Sequence, residues 1–576
     1  MQTASISYAT QRNWERLGTN STGKLTKRAN KLKSKKRIIP YEYISNPQNI
    51  PLIEKILEII LSDAYNYQDC MFTLCVNQLI AHGIYEQDNV QTLLGEYDSC
   101  CLVKELQQLD LPEDEHDFIG ALYQSLMLEG NKNSIGSYYT PPKVLCKMTC
   151  DLDFSRGQTF LDPCCGSGSF LLSLKCSDPS LLFGIDNDPI AVMIAKTNLL
   201  CKYSNTNFIP QIYCMDYLFC GSLLNANPIS SNDFDYIYTN PPWGAITDKA
   251  SIPFPITSGE SFSSFFVRAF SQLKPNGQIR FLFPESILNV KVHKDIRQFI
   301  LENCCLHSIT FYSESFTGVV TSYVDILASK SPCQDNVCVF KNNQQYYVRL
   351  ENFKQTENRV FNILTEHDVS IIEKVKQVSR YNLSKSIWAL GIVTGNNKEK
   401  LFSMQESDME PIFTGKEISK YCLKPPQKYI RYDRSQFQQV AKDEIYRADE
   451  KLVYKFISSK LVFAYDATQR LFLNSANILI PNIPRMSVKT VMAFLNSKLY
   501  SYLYKKLFGE IKILKGNLLE LPFPEISTEE NREIEHLVNR IMESYDSELD
   551  EKLQNLIYKI FNLSNMEIEY LNSQPI

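Results

Sequence analysis

Asp162-Pro163-Cys164-Cys165-Gly166-Ser167-Gly168-Ser169-Phe170 follows the short apolar run Thr159-Phe160-Leu161 and opens a helical pattern. A strand, a glycine-rich loop and a helix start, in that order, form a phosphate- or nucleotide-type turn: glycines let the backbone approach a ligand, and helix N-terminal amides face it. Working outward, Leu181-Leu182-Phe183-Gly184-Ile185 is a second apolar run that ends in Asp186. Helical spacing follows through Ile190, Ile194 and Leu199, and a third strand is expected over Gln211 to Cys214. Phe234-Asp235-Tyr236-Ile237-Tyr238 leads to Asn240-Pro241-Pro242-Trp243, and Ile279 to Phe283 is a further strand after the helix face Phe262, Phe265, Phe266 and Phe270. Apolar strands alternating with helices predict a doubly wound, mostly parallel α/β sheet.

Asp186 stands about twenty residues after the glycines, where such folds place a carboxylate for ribose hydroxyls. Ribose alone does not separate NAD from S-adenosylmethionine. The dinucleotide pattern needs a third glycine, and Leu171 occupies that position. Asp162-Pro163 suits a cationic amino-acid head group better than a pyrophosphate, and Asp216 after the third strand is placed to accept from an adenine amino group. The candidate cofactor residues are therefore Asp162, Pro163, Cys164, Cys165, Gly166, Gly168, Asp186, Asn187 and Asp216, with Asn240 at the edge of the same set.

The chemistry of Asn240-Pro241-Pro242-Trp243 is more specific. An exocyclic amino group is a poor nucleophile because its lone pair is delocalised. The Asn240 side-chain carbonyl and the Pro241 main-chain carbonyl can accept its two N–H bonds and draw it toward a tetrahedral shape. The prolines pre-aim these carbonyls, and Trp243 can stack on a flat base.

These motifs, in this order, resemble those of the gamma class of N6-adenine DNA methyltransferases. Gly136-Ser137-Tyr138-Tyr139-Thr140-Pro141 is similar to the family's segment upstream of the first strand, which implies that Tyr138 and Thr140 hold the amino-acid end of S-adenosyl-L-methionine. Phe316-Thr317-Gly318-Val319-Val320-Thr321-Ser322 resembles the segment whose aromatic packs on the other face of the extruded base, making Phe316 a second stacking candidate. Asp117-Phe118-Ile119-Gly120-Ala121-Leu122-Tyr123-Gln124 is similar to the helical N-terminal region of larger adenine methyltransferases. Gly391-Ile392-Val393-Thr394-Gly395, Leu495-Asn496-Ser497-Lys498-Leu499 and Leu521-Pro522-Phe523-Pro524 resemble pieces of a TaqI-type recognition domain. The resemblance implies site-specific methylation of adenine N6 in double-stranded DNA by base flipping, as the modification enzyme of a restriction-modification system. It leaves room for a separate restriction endonuclease or specificity partner. An RNA or protein-glutamine methyltransferase stays open as the alternative, because those enzymes share the Asn-Pro-Pro-aromatic turn.

Composition sets the frame. The 576 residues are 44% hydrophobic and 22% charged, an ordinary globular balance. The expected organisation is a basic, flexible arm over 1–45, a helical domain over 46–135, a Rossmann-like catalytic domain over 136–347, a mixed α+β recognition domain over 348–525 and a helical tail over 526–576. The arm holds ten Lys and Arg between Arg12 and Arg37 against the single acid Glu15, although the whole chain is mildly acidic at −4. Such an arm either contacts phosphates or is a solvated tail. The 17 Cys show no zinc spacing and the six His form no HExxH, so no metal site is expected, and the thiols are expected to be free and buried. No apolar run spans a membrane and no secretory signal opens the chain, which predicts a cytoplasmic protein. Lys505, Lys506, Lys512 and Lys515 are candidates for phosphate contact or a solvated helix face.

Overall fold

The computed structural model describes residues 37–574 except 38, 63–64, 108, 113–116, 128–139, 219–233, 244–255, 257, 314–321, 355–357 and 509–511. Tyr138, Phe316 and the arm up to Lys36 lie outside the described residues. The chain divides into two compact units, the first ending at Ile363 and the second running from Leu364 to Ile576.

The first unit is built on a nine-stranded sheet. Its strands are β1 (Phe160–Asp162), β2 (Leu182–Asp186), β3 (Gln211–Cys214), β4 (Phe234–Thr239), β5 (Leu273–Pro284), β6 (Cys305–Phe311), β7 (Tyr323–Ser329), β8 (Asn336–Lys341) and β9 (Gln344–Arg349). The order is β3-β2-β1-β4-β5-β7-β6-β8-β9. The five strands from β3 to β5 are parallel, and β7 lies antiparallel between β5 and β6. Parallel strands are covered on both faces, which is why β1 and β4 read as apolar runs without alternation. Phe160 pairs with Leu182 on one side and Tyr236 on the other, so the chain order reverses at β1 and β4. Their carboxyl ends flank the crevice where such sheets take ligands.

Helices α1 (Ile50–Ser62), α2 (Tyr67–Ala81), α3 (Asp88–Gly95), α4 (Phe118–Leu126), α5 (Pro142–Thr149), α6 (Ser169–Ser173), α7 (Pro189–Lys202), α8 (Ser261–Ser271) and α9 (Lys294–Asn303) belong to this unit. Helix α7 is apolar nearly all round: Val192, Ala195 and Leu199 share a core with β1 and β2, while Ala191, Met193 and Ile194 share another with Met71, Leu74, Phe118 and Leu122. A helix apolar on both sides is sandwiched. Helix α7 thus belongs both to the core of the catalytic sheet and to the core of the helices expected to form a separate domain over 46–135. The boundary expected after residue 347 falls inside β9, and the stacked rings of Phe353 and Phe361, 5.0 Å apart, still belong to the core of the sheet.

The second unit is mixed α and β. Strands β10 (Ser379–Tyr381), β11 (Ile387–Leu390), β12 (Glu410–Phe413), β13 (Lys428–Ile430), β14 (Lys451–Lys455), β15 (Phe463–Asp466), β16 (Leu471–Phe472), β17 (Ala476–Ile480) and β18 (Phe523–Pro524) form sheets ordered β11-β17-β14-β15, β13-β12-β16 and β10-β18. Helix α10 (Glu366–Val378) precedes them; α11 (Val488–Asn496), α12 (Lys498–Phe508), α13 (Thr528–Glu543), α14 (Ser547–Ile560) and α15 (Asn565–Ser573) follow or intervene. The helical spacing over Val488 to Phe508 resolves into two helices, α11 and α12, that part at Ser497. The Asn496 side chain accepts from Phe463 N at 2.8 Å and donates to Phe463 O at 2.9 Å, docking α11 on β15. The tail expected over 526–576 is not a separate element: Ile534, Val538, Leu553 and Ile557 pack in one core with Val491, Leu495 and Leu499. Lys506, one of the phosphate-contact candidates, lies 2.9 Å from the buried Asp368 in an ion pair. The described cysteines are all free, yet Cys101, Cys146, Cys150, Cys214, Cys333 and Cys422 are exposed where burial was expected. No helix among the described residues is long and apolar enough to cross a membrane.

Candidate functional site

Strand β1 ends in Asp162 and β4 ends in Thr239, side by side at the reversal point. The Thr239 hydroxyl donates to Asp162 Oδ1 at 2.5 Å, and the Cys164 amide donates to the same oxygen at 3.2 Å. The Cys164 thiol meets the Thr239 hydroxyl at 2.8 Å and the Asn240 carbonyl oxygen at 3.5 Å. Burial pushes that thiol well above the usual range, so it stays protonated. These bonds tie the glycine loop to the Asn-Pro-Pro turn.

The loop bends at Gly166 and Gly168, whose φ angles of 54° and 93° are left-handed. The turn brings Gly166 N to within 2.8 Å of Asp186 Oδ2, and Asp188 N donates to Asp186 Oδ1 at 3.0 Å. Asp188 then caps α7 through Ile190 N at 3.0 Å. Burial pushes the Asp162 carboxyl up to about 7, against the opposing pull of Thr239 and Cys164 N. Burial likewise raises Asp186 to about 6, and its backbone donors offset only part of that.

One cavity is lined by Thr140, Asp162, Pro163, Cys164, Cys165, Gly166, Asp186, Asn187, Asp216, Asn240 and Pro242. Sequence reasoning missed five further lining residues: Ser169, Phe170, Met215, Tyr217 and Phe265. The Tyr217 and Phe265 rings lie 5.3 Å apart at 30° and form an aromatic wall. Phe265 was legible as part of an apolar helix face, but nothing local marked that face as facing a cavity. Among the described residues, no Lys, Arg or His lines the cavity. Gly168, Pro241 and Trp243 are not among them either. Gly168 caps α6 behind the loop. Pro241 is buried.

Ser261, also missed, donates from its hydroxyl to the Pro242 carbonyl at 2.5 Å and holds the turn against the start of α8. The Trp243 indole N–H donates to the Leu282 carbonyl at 3.2 Å, and its ring lies 6.0 Å from that of Tyr323. Tyr323 stacks in turn on Tyr312, whose hydroxyl donates to Asp325. Asp325 pairs with Arg280 at 2.8 Å. This buried chain underlies the turn.

The N-6 DNA Methylase family model matches residues 114–390, and the model of the TaqI-like C-terminal specificity domain matches residues 410–523. The Type II methyltransferase M.VspI of Vibrio sp. (strain 343) is 28% identical over 316 residues, which cover 52% of this chain and 74% of that protein. The Type I restriction enzyme MjaIX methylase subunit of Methanocaldococcus jannaschii is 23% identical over 320 residues, covering 50% of this chain and 54% of the relative. Among solved structures, the Type IIL restriction-modification enzyme MmeI in complex with DNA shares the fold at a TM-score of 0.57 and 13% identity, covering 82% of this chain and 83% of that one. The two family models together match more than half of the chain, in the order in which the two units occur. Residues 114–390 therefore carry an N-6 DNA methylase domain, and residues 410–523 a TaqI-like C-terminal specificity domain.

Proposed function

We propose that this protein transfers the methyl group of S-adenosylmethionine to N6 of an adenine extruded from duplex DNA, as the modification enzyme of a restriction-modification system. The observation that carries the reading is the cavity's charge: Asp162, Asp186 and Asp216 line it together with Asn240, and among the described residues no basic side chain does. Such a lining repels a pyrophosphate and suits a ligand with a cationic ammonium and sulfonium, ribose hydroxyls and an adenine amino group. When bound, the cofactor supplies an already activated methyl group.

The chain's own residues then bind and orient. Asp162 and Thr140 face the amino-acid end, Asp186 accepts from the ribose, and Asp216 accepts from the adenine ring of the cofactor. At the turn, the Pro242 carbonyl is committed to Ser261. The acceptor pair for the substrate amino group is therefore Asn240 Oδ1 and Pro241 O. Trp243, anchored on Leu282, is the stacking candidate, with Phe316 as its counterpart. The match of 410–523 to a specificity domain supports reading of base edges by the second unit. The relatives named as type II methyltransferases and type I methylase subunits support DNA as substrate and leave a nuclease or specificity partner in view.

Modification-sensitive sequencing of DNA from cells expressing the protein tests this. The expected result is N6-methyladenine at one sequence context. Asn240→Ala lowers the transfer rate on the order of 10²–10³-fold, the usual cost of removing one pre-aimed polar group, while cofactor binding persists. Methylated RNA or protein without methylated DNA overturns the substrate claim; retained activity in the variant overturns the role of Asn240.

A further inference from the structure

Helix α4 is buried along all nine of its residues, yet it keeps polar groups at both ends of its inner face. Asp117, its cap, is buried and accepts four hydrogen bonds. Gly120 N at 3.0 Å and Asn198 Nδ2 at 2.7 Å donate to Oδ1, and the Tyr43 and Ser167 hydroxyls donate to Oδ2. Ser167 is the wholly buried residue between the two left-handed glycines of the loop after β1. Asn198, on α7, also donates to the Ser167 carbonyl at 3.1 Å. Two turns along α4, the Tyr123 hydroxyl donates to Asp188 Oδ2 at 2.7 Å. Asp188 sits in the loop after β2.

These bonds close a circuit. Asp117 holds Ser167; the neighbouring Gly166 donates its N–H to Asp186 Oδ2; Asp186 Oδ1 accepts from Asp188 N; and Asp188 accepts from Tyr123. Both loops that flank Asp186 are thus pinned to one helix. Gly120 is required for that closeness, because a Cβ there would overlap the Asp117 carboxylate and the Ser167 hydroxyl. An apolar contact would serve simple packing at lower desolvation cost, since buried polar groups are costly unless fully bonded. Directed bonds instead fix where the two loops stand.

We infer that Asp117 and Tyr123 are positioning residues for the cofactor: helix α4 sets the spacing of the two loops and so the aim of the Asp186 carboxylate. This rests on the reading of the cavity as an S-adenosylmethionine site. Ribose hydroxyls need Asp186 oxygens already held in place, because ordering them at binding would cost affinity.

The test uses the full chain and titrates S-adenosylmethionine by calorimetry, beside steady-state methylation of DNA. Tyr123→Phe removes one hydroxyl and keeps the ring. It raises the cofactor Kd and KM about tenfold, the scale of one lost hydrogen bond to a charged group. The kcat at saturating cofactor stays within about twofold, because no group at the reacting atoms changes. Asp117→Asn gives a shift in the same direction; if that variant fails to fold, Tyr123→Phe decides alone. A Tyr123→Phe protein with lowered melting temperature and an unchanged cofactor Kd overturns the inference and reduces the helix to packing. If the wild-type chain itself binds no S-adenosylmethionine, the reading of the cavity fails first, and the inference with it.

Discussion

Asp466 and Asp162 are both almost wholly buried, at 2% and 1% exposure, but they live in opposite company. Lys451 Nζ lies 2.6 Å from Asp466, in a pair closed to solvent. Two further lysine–carboxylate pairs, with the lysine partly exposed, stand in the second unit: Lys506 against Asp368, and Lys374 against Glu567 at 2.6 Å. In each of these, burial pushes the carboxyl up, and the lysine with its neighbouring donors outweighs it; Glu567 ends at about 2, and Asp368 and Asp466 also lie below the usual range. Around the cavity of the first unit burial acts on Asp162 and Asp186 with only hydroxyl and amide donors against it, and both carboxyls end above their usual range. The first unit is capable of pairing its acids, since Arg280 holds Asp325 in a two-point contact. Among the described residues, therefore, the first unit pairs Asp325 with a base but sets none against Asp162 or Asp186. A carboxylate that holds a fold has its counter-ion within the chain; one that serves a cationic ligand is left for the ligand to neutralise.

The contrast is broken most directly by removing the acids. Asp466→Asn strands the Lys451 ammonium in the core and costs about 3–5 kcal/mol in urea denaturation, the usual price of half a buried pair. Asp162→Asn in cofactor-free protein changes stability by no more than about 1 kcal/mol, because Thr239 and Cys164 N can donate equally to an amide oxygen. Equal losses in the two variants would make Asp162 a structural acid and end the distinction. Next in size, Asp186→Ala raises the S-adenosylmethionine Kd on the order of 10–100-fold through lost charge-assisted hydrogen bonds. The folded Asp466→Asn protein binds the cofactor as wild type does. An unchanged Kd for Asp186→Ala would reject its ribose role.

What could be read from the chain and what could not divides along sequence distance. β1, β2 and β4 were legible because buried parallel strands are short apolar runs, and the glycine loop and the Asn-Pro-Pro turn are contiguous motifs at their ends. Thr239 and Ser261 were not, since their roles lie in bonds to Asp162, 77 residues away, and to Pro242, 19 residues away. Asp117 stood in the sequence only as the first residue of a family-like helical stretch, and its bond to Ser167 spans 50 residues. The amphipathic pattern after Thr528 announced helices, but their burial against α11 depends on surfaces that no local window contains. The break at Ser497 has the same origin: Asn496 pairs with the backbone of Phe463 on another element.

The comparison also separates the two regions by pH, with the smallest effect and the most specific sign. Asp162 is raised in the folded protein, so the native state holds more protons than the unfolded chain between about pH 4 and 7. Its contribution to stability is complete below about pH 4 and lost as pH rises toward 7. Asp466, Asp368 and Glu567 are lowered, so theirs is present above the unfolded value and lost as the solution is acidified. A cationic cofactor favours the ionised cavity and must displace the Asp162 proton below about pH 7. Cofactor affinity should therefore weaken about tenfold from pH 8 to pH 6, one proton's worth of linkage for a group near 7. Calorimetry at pH 6 in buffers of different ionisation enthalpy should register proton release on binding, and Asp162→Asn should abolish most of it. Affinity that is flat across this range, or proton uptake in place of release, would mean that the cavity acids are ionised before the ligand arrives, and the contrast between the two units would then lie in geometry alone.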